Sequence, residues 1–198
     1  AAGVEVAAQI DRGELPKPAT VYITGGSAGS SAGLALGLAL AGVDCHIRIV
    51  SAVERWSFNR LLFRRMLGQV ASALAVYGLD PARLRGGVSG LLADAGVTWS
   101  IDHDHVGGGY AVPTAEGRTA IARAAAQGLH LETTYTGKCF AGLHADLKRG
   151  GVSGPVLLWN THGSNDLRQW IDLDWRARLP AGLDRRLDAL REDPKLRA

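Results

Sequence analysis

Between residues 20 and 53 the chain reads TVYITGGSAGSSAGLALGLALAGVDCHIRIVSAV, and no other stretch limits the possible folds as much. Residues 20–24 are β-branched or aromatic throughout, the composition of a strand. Residues 25–33 are Gly, Ser and Ala, a turn with few steric demands. Residues 34–41 are a run of Ala, Leu and Gly that reads as a helix, stopped at Gly42. Residues 45–53 read as a second strand, buried on both faces. A strand, a helix and a strand so close together imply a crossover between parallel neighbours. The fold class is therefore α/β, a twisted and mostly parallel sheet with helices on both faces.

The same turn carries chemistry. Small side chains let backbone N–H groups approach an anion, and a helix N-terminus adds partial positive charge. Gly26, Ser27, Ala28, Gly29 and Ser30 are thus candidate phosphate ligands. The letters also approach the TGxxxGxG loop of NAD(P)-binding short-chain dehydrogenases, through Thr24, Gly25 and Gly29, but Ser31 replaces the last Gly. Those enzymes need a Tyr followed four residues later by Lys. Tyr22, Tyr77, Tyr110 and Tyr135 are followed at that distance by Gly26, Pro81, Thr114 and Cys139, so the dehydrogenase chemistry has no place. The segment 25–29, GGSAG, also fits a hydrolase nucleophile elbow centred on Ser27.

Further along, helical patterns are expected over residues 4–9, 56–77, 81–96, 115–127 and 137–149. Thr114 is the expected N-cap of the fourth. Strands are expected at 97–101, 129–131 and 156–159. From residue 167 the chain turns polar, which divides it into 1–165 and a peripheral helical tail, 166–198. With 198 residues and 46% hydrophobic composition, a sizeable core is affordable. No charge-free apolar run of about 18 residues occurs, and the N-terminus has no signal-peptide pattern, so no membrane partner is expected. Net charge is only +3 and the Arg pairs 64–65 and 185–186 fall in helical segments, so no nucleic-acid partner is expected either. Cys45 and Cys139 form no CxxC pair, which points to a reducing cytoplasm. Residues 102–105, Asp-His-Asp-His, alternate across a strand and cannot all converge on a metal.

The most specific stretch is VGGGYAVPTAEGRTAIARAAAQGLHLETTYTGKCFAGL, residues 106–143. It contains G-Y-x-V-P, then E-G, a helix, and Y-T-G-K-x-x-x-G, with the glycine turn upstream and VLLWNTHG downstream. In order and spacing this resembles the pyridoxal-phosphate (PLP) enzymes of the D-cysteine desulfhydrase and aminocyclopropane-carboxylate deaminase family, which have the tryptophan synthase β-like fold. The resemblance covers about residues 1–165 and implies the C-terminal two-thirds of such an enzyme. It implies pyridoxal 5'-phosphate as cofactor and a small amino acid as substrate. The phosphate cup is implied to be Gly26, Ser27, Ala28, Gly29 and Ser30, with Ala28 in place of a family Gly and therefore expected to avoid φ > 0. Tyr110 and Tyr135 match the two active-site tyrosines. Thr136 matches the residue facing the pyridine nitrogen, and Thr161 the Thr of an HTGG loop in which Asn160 and His162 are departures. A neutral hydroxyl at Thr136 suits β-elimination to an α-keto acid and ammonia better than cyclopropane opening.

The family's cofactor-binding lysine lies ahead of the phosphate cup, and no equivalent is present. The lysines are Lys17, Lys138, Lys148 and Lys195. Lys17 sits in a proline-flanked connector, and Lys138 belongs to the YTGK motif, where a structural role is expected. The chain alone is therefore expected to be inactive. A fragment, a split-gene product or a degraded pseudo-enzyme all accord with this and with the missing initiator Met. A homodimer or a complementing N-terminal segment is the expected partner.

Overall fold

A computed structural model describes residues 2–163 and 165–192. The chain divides into two compact units, Ala1–Thr161 and His162–Ala198. In the first unit α1 (Ala2–Asp11) precedes β1 (Thr20–Gly25), α2 (Gly29–Leu40) and β2 (Cys45–Ser51). Then come α3 (Arg60–Val76), a 3-10 turn (Pro81–Leu84), α4 (Gly87–Asp94), β3 (Val97–Asp102), α5 (Ala115–Ala125), α6 (Thr136–Lys148) and β4 (Val156–Trp159). The second unit has two 3-10 turns and α7 (Ala181–Glu192). There Arg176 bridges Asp184 at 2.7 Å and Asp188 at 2.8 Å.

The four strands form one sheet in the order β3-β2-β1-β4, all parallel. Strand alternation sorts the side chains into two layers. Val21, Ile23, Ile47 and Ile49 join the main core with α2, α3 and α4. Tyr22 and Val50 point the other way and pack with Cys139 and Leu143 of α6. Both cysteines are buried; burial pushes the Cys45 thiol up to about 11 and the Cys139 thiol up to about 12, so both behave as small packed hydrophobes. The α6 face also buries polar groups. Tyr22 Oη donates to Asp146 at 2.7 Å, and Arg48 donates to Asp102 at 2.9 Å while its Nε lies 3.3 Å from Asp146. The expected α/β class, with helices on both faces, is the fold found.

Local differences from the sequence reading have physical causes. Helix α2 starts at Gly29, well before the expected residue 34, because Ser31, Ala32 and Leu34 are already buried against the core. Such packing overrides the weak helix propensity of Gly and Ser. Helix α1 crosses α2 at Gly3, where a Cβ would lie 2.4 Å from the Leu38 nitrogen, so only glycine allows the approach. Helix α3 starts at Arg60, after Asn59 caps it by accepting from the Leu61 and Leu62 amides at 3.0 and 3.1 Å. The expected helix 81–96 is a 3-10 turn and a separate α4, interrupted where Gly87 adopts φ 67°. Residues 129–131 are not a strand.

Strands β1, β2 and β3 are laid outward in sequence, and the chain then returns to the far side of β1 to place β4. The winding direction thus reverses between β1 and β4. Loops leaving the carboxyl ends of two such strands diverge and open a crevice, the usual ligand position in parallel α/β sheets.

Candidate functional site

A cavity of about 310 Å³ lies at that reversal. Its floor is Thr24 at the end of β1 and the turn Gly26–Ser31, and its walls are Tyr135 and Thr161. Among the described residues no charged side chain lines it. Gly26, Ser27, Ala28, Gly29, Ser30, Tyr135 and Thr161, all singled out in the sequence, are therefore brought around one space.

Ala28 is the N-cap of α2 and has φ 71°, ψ −7°. The expectation that this position avoids positive φ is overturned. The turn needs a left-handed residue here to run from strand into helix, and an alanine is held in it at a cost of about 1 kcal/mol. Ala28 also supplies no side-chain cap, and the Ser31 hydroxyl donates back to its carbonyl at 3.0 Å. The first-turn amides of α2 are thus left to solvent or to an anion. Ala28→Gly is expected to remove the strain, partly offset by the entropy glycine adds to the unfolded chain, and to raise the melting temperature by about 1–2 °C. A differential scanning measurement showing no rise would dismiss the strain.

Tyr135 caps α6 and lays its ring over Gly26, where a Cβ would approach the ring edge to 3.1 Å. Its hydroxyl donates to the Tyr110 hydroxyl at 2.9 Å, with ring centroids 5.9 Å apart in an edge-to-face arrangement. That bond, together with burial and the charge of Glu132, pushes the Tyr135 phenol up to about 12. Tyr110 reaches the cavity wall through this pair and is itself half exposed. The residue after it, Ala111, has φ 60°. The two non-glycine residues with positive φ among those described, Ala28 and Ala111, stand at the cup and beside Tyr110.

Glu132, not anticipated from the sequence, organises the start of α6. Its carboxylate accepts from the amides of Thr134, Tyr135 and Thr136 at 2.7, 2.8 and 2.7 Å, and from the Thr136 hydroxyl at 3.2 Å. Burial alone would raise its pKa, but these donors outweigh it and hold the carboxyl below its ordinary range. Thr136 is 3% exposed, shares its hydroxyl with Glu132 and does not line the cavity. In this structure the Thr136 hydroxyl serves the start of α6.

Among the described residues the lysines lie elsewhere. Lys138 is fully buried, and its ammonium donates to the carbonyls of Val106 at 2.8 Å and Gly109 at 3.0 Å. Lys17 pairs with Asp44, Lys148 lines a different groove, and Lys195 lies outside the described residues. Among the described residues no histidine lines the cavity beside Ser27 to act as the base that hydrolase chemistry needs. In the 102–105 run, Asp102 is taken by Arg48 and His103 bonds the Phe58 carbonyl at 2.8 Å. Among the described residues no three His, Cys, Asp or Glu side chains are grouped to hold a metal, and no helix is long and apolar enough to cross a membrane.

The residues present fit the phosphate end of PLP. Position 29 has open space where a Cβ would project, the helix end above it is uncapped, and hydroxyls surround it. They supply no amine to hold the other end covalently.

The sequence matches no family model and no curated protein. The fold is similar to a solved structure described as that of an ACC deaminase homologue. The TM-score is 0.58 and the identity 21%, over 85% of this chain and 46% of that one. The chain therefore spans less than half the length of that protein, and the likeness is one of fold.

Proposed function

We propose that the cup Gly26–Ser31 binds the phosphate of pyridoxal 5'-phosphate, and that the chain is one portion of a PLP-dependent lyase or deaminase acting on a small amino acid. The observation that carries this reading is the uncapped start of α2 at the sheet reversal, walled by a hydrogen-bonded phenol pair. The order of motifs seen in the sequence and the likeness to an ACC deaminase homologue support it.

When bound, PLP supplies an electron sink for breaking bonds at the substrate α-carbon. The chain's own residues bind and orient. First-turn amides of α2 and the serines of the turn hold the phosphate, and Thr161, beyond β4, closes the opposite wall. Tyr135 keeps its proton at neutral pH and shares it with Tyr110, so the pair can orient a substrate or pass a proton at the phenol oxygens. The reaction closest to the sequence pattern is D-cysteine desulfhydrase-like β-elimination. Water is consumed, and sulfide, an α-keto acid and ammonium leave. Lys17, Lys138 and Lys148 do not line the cavity, so the lysine this chemistry requires is expected from a complementing segment or partner, and without it no turnover is expected.

Equilibrium dialysis against PLP and against pyridoxal tests the reading. PLP is expected to bind at least about tenfold more tightly, since only it carries the phosphate. Borohydride is expected to leave no covalent adduct. An adduct on Lys17 or Lys138 would place the missing amine within this chain. Tight NAD(P)H binding with no PLP binding would replace the proposal with a dinucleotide site.

A further inference from the structure

We infer that Lys138 is a positioning residue, whose ammonium, bound to the Val106 and Gly109 carbonyls, sets the turn that presents Tyr110 to Tyr135. The inference rests on the proposed function only in taking that phenol pair to stand beside the substrate.

Lys138 is 0% exposed. Among the described residues no carboxylate lies within 4.0 Å of its ammonium. Burying an ammonium without an ion pair costs several kcal/mol unless acceptors satisfy it, and a methionine would fill the space without that cost. The acceptors it has are both in one turn. That turn is strained and lightly held by its own backbone: Gly107, Gly109 and Ala111 have φ 66°, 129° and 60°, and the Val112 amide donates to the Gly109 carbonyl at 3.3 Å. Beyond Lys138 its side-chain anchors are Glu54, which accepts from the Tyr110 amide at 3.3 Å, and the phenol bond itself. Burial pushes the Lys138 pKa down, while the charges of Glu54 and Glu132 oppose that shift.

The geometry has a purpose beyond packing. Tyr135 is the N-cap of α6, and Lys138 lies in the first turn of the same helix. One helix end therefore holds both partners, Tyr135 directly and Tyr110 through the carbonyls. Moving the ammonium would shift Tyr110 relative to Tyr135 while leaving α6 in place.

The test reads Tyr135 itself, in the chain without cofactor. A rapid jump to pH 11, where the Lys138 amine is neutral but keeps two N–H donors for the two carbonyls, followed at 295 nm before any unfolding, gives the ionised tyrosine. The Tyr135 share comes from subtracting the Tyr135→Phe signal. In the wild type about a tenth of Tyr135 is expected to ionise, because its phenol titrates at about 12. In Tyr110→Phe, which removes the bond, about half is expected, because burial and the charge of Glu132 still hold the phenol above an ordinary tyrosine near 10. Lys138→Met is expected to match Tyr110→Phe. A folded Lys138→Met, by circular dichroism, in which Tyr135 still ionises to about a tenth would overturn the inference. Should that variant fail to fold, Lys138→Gln, one bond shorter and unable to reach both carbonyls, is read in the same way. PLP binding is a separate measurement. A chain that releases Tyr135 as expected but binds no PLP rejects the cofactor reading and leaves Lys138 where it is.

Discussion

A Glu132→Ala chain is expected to melt about 10 °C below the wild type. One carboxylate accepts three backbone amides and a hydroxyl at the start of α6. Each bond to a charged acceptor contributes about 1.5–3 kcal/mol, and they are not additive, so a loss of about 3 kcal/mol is reasonable. For a domain of this size each kcal/mol moves the midpoint by about 2–4 °C. Glu132→Gln keeps one acceptor oxygen and should lose about half as much. The effect has a pH signature. The folded-state pKa of Glu132 is held below its ordinary value, so the unfolded chain binds the proton more readily. The stabilisation is then fully present above the unfolded carboxyl pKa of about 4.3 and disappears as pH falls through the lower folded value. The gap in melting temperature between wild type and Glu132→Ala should therefore be constant from pH 7 to about 5 and shrink below about 4. A gap that persists unchanged at pH 3 would remove the carboxylate from the explanation. Asp146 is depressed in the same direction, with burial outweighed by Tyr22, Arg149 and Arg48, so both chains lose some stability in acid.

The sheet was legible in the sequence because its signals are local and dense. Residues 20–24 and 45–51 are β-branched or buried runs with a glycine turn and a helix between them, and few folds accept that order. The Thr114 cap was legible for the same reason: its hydroxyl accepts from the Gly117 amide, three residues away, at 3.0 Å. What was not legible depends on distant partners. Gly29–Gly33 looks like a turn and becomes helix only because Ser31 and Ala32 meet the core. Residues 129–131 have strand-like letters but no neighbour to pair with, whereas 156–159 pair with β1. The cup residues could be named from spacing, because a strand–turn–helix fixes where its amides point. The dihedral of Ala28 could not, since nothing in the letter A announces a left-handed residue. Nor could Glu132, which lies four residues ahead of the helix whose amides it gathers. Thr136 shows the converse: its place in a motif was clear, and its hydroxyl was claimed by that unforeseen carboxylate.

Gly26→Val is expected to weaken PLP binding by at least about 100-fold. Position 26 is where the cup meets the phenol pair. A Cβ there already lies 3.1 Å from the Tyr135 ring, and the two further methyls of valine need the volume that the ring occupies. The ring must swing away, which breaks its bond to Tyr110 and moves one wall of the cavity. Losing two charge-assisted bonds to the phosphate is worth about 3 kcal/mol, and about 1.4 kcal/mol corresponds to each factor of ten in Kd. Stability should fall far less, because Tyr135 is only partly buried and its displacement opens no core cavity. Gly33→Ala is the matched control. It adds a methyl to the same turn–helix segment, at a site with nothing within 4 Å and outside the cup lining. There alanine should stabilise α2 by about 0.5–1 kcal/mol through helix propensity and leave the PLP Kd unchanged. Equal losses in both variants would mean that binding depends on the segment's general order, and that the ligand sits somewhere other than against Gly26. A loss confined to Gly26→Val ties the phosphate to the cup and the phenol pair to the ligand, and it does so without any measurement of catalysis.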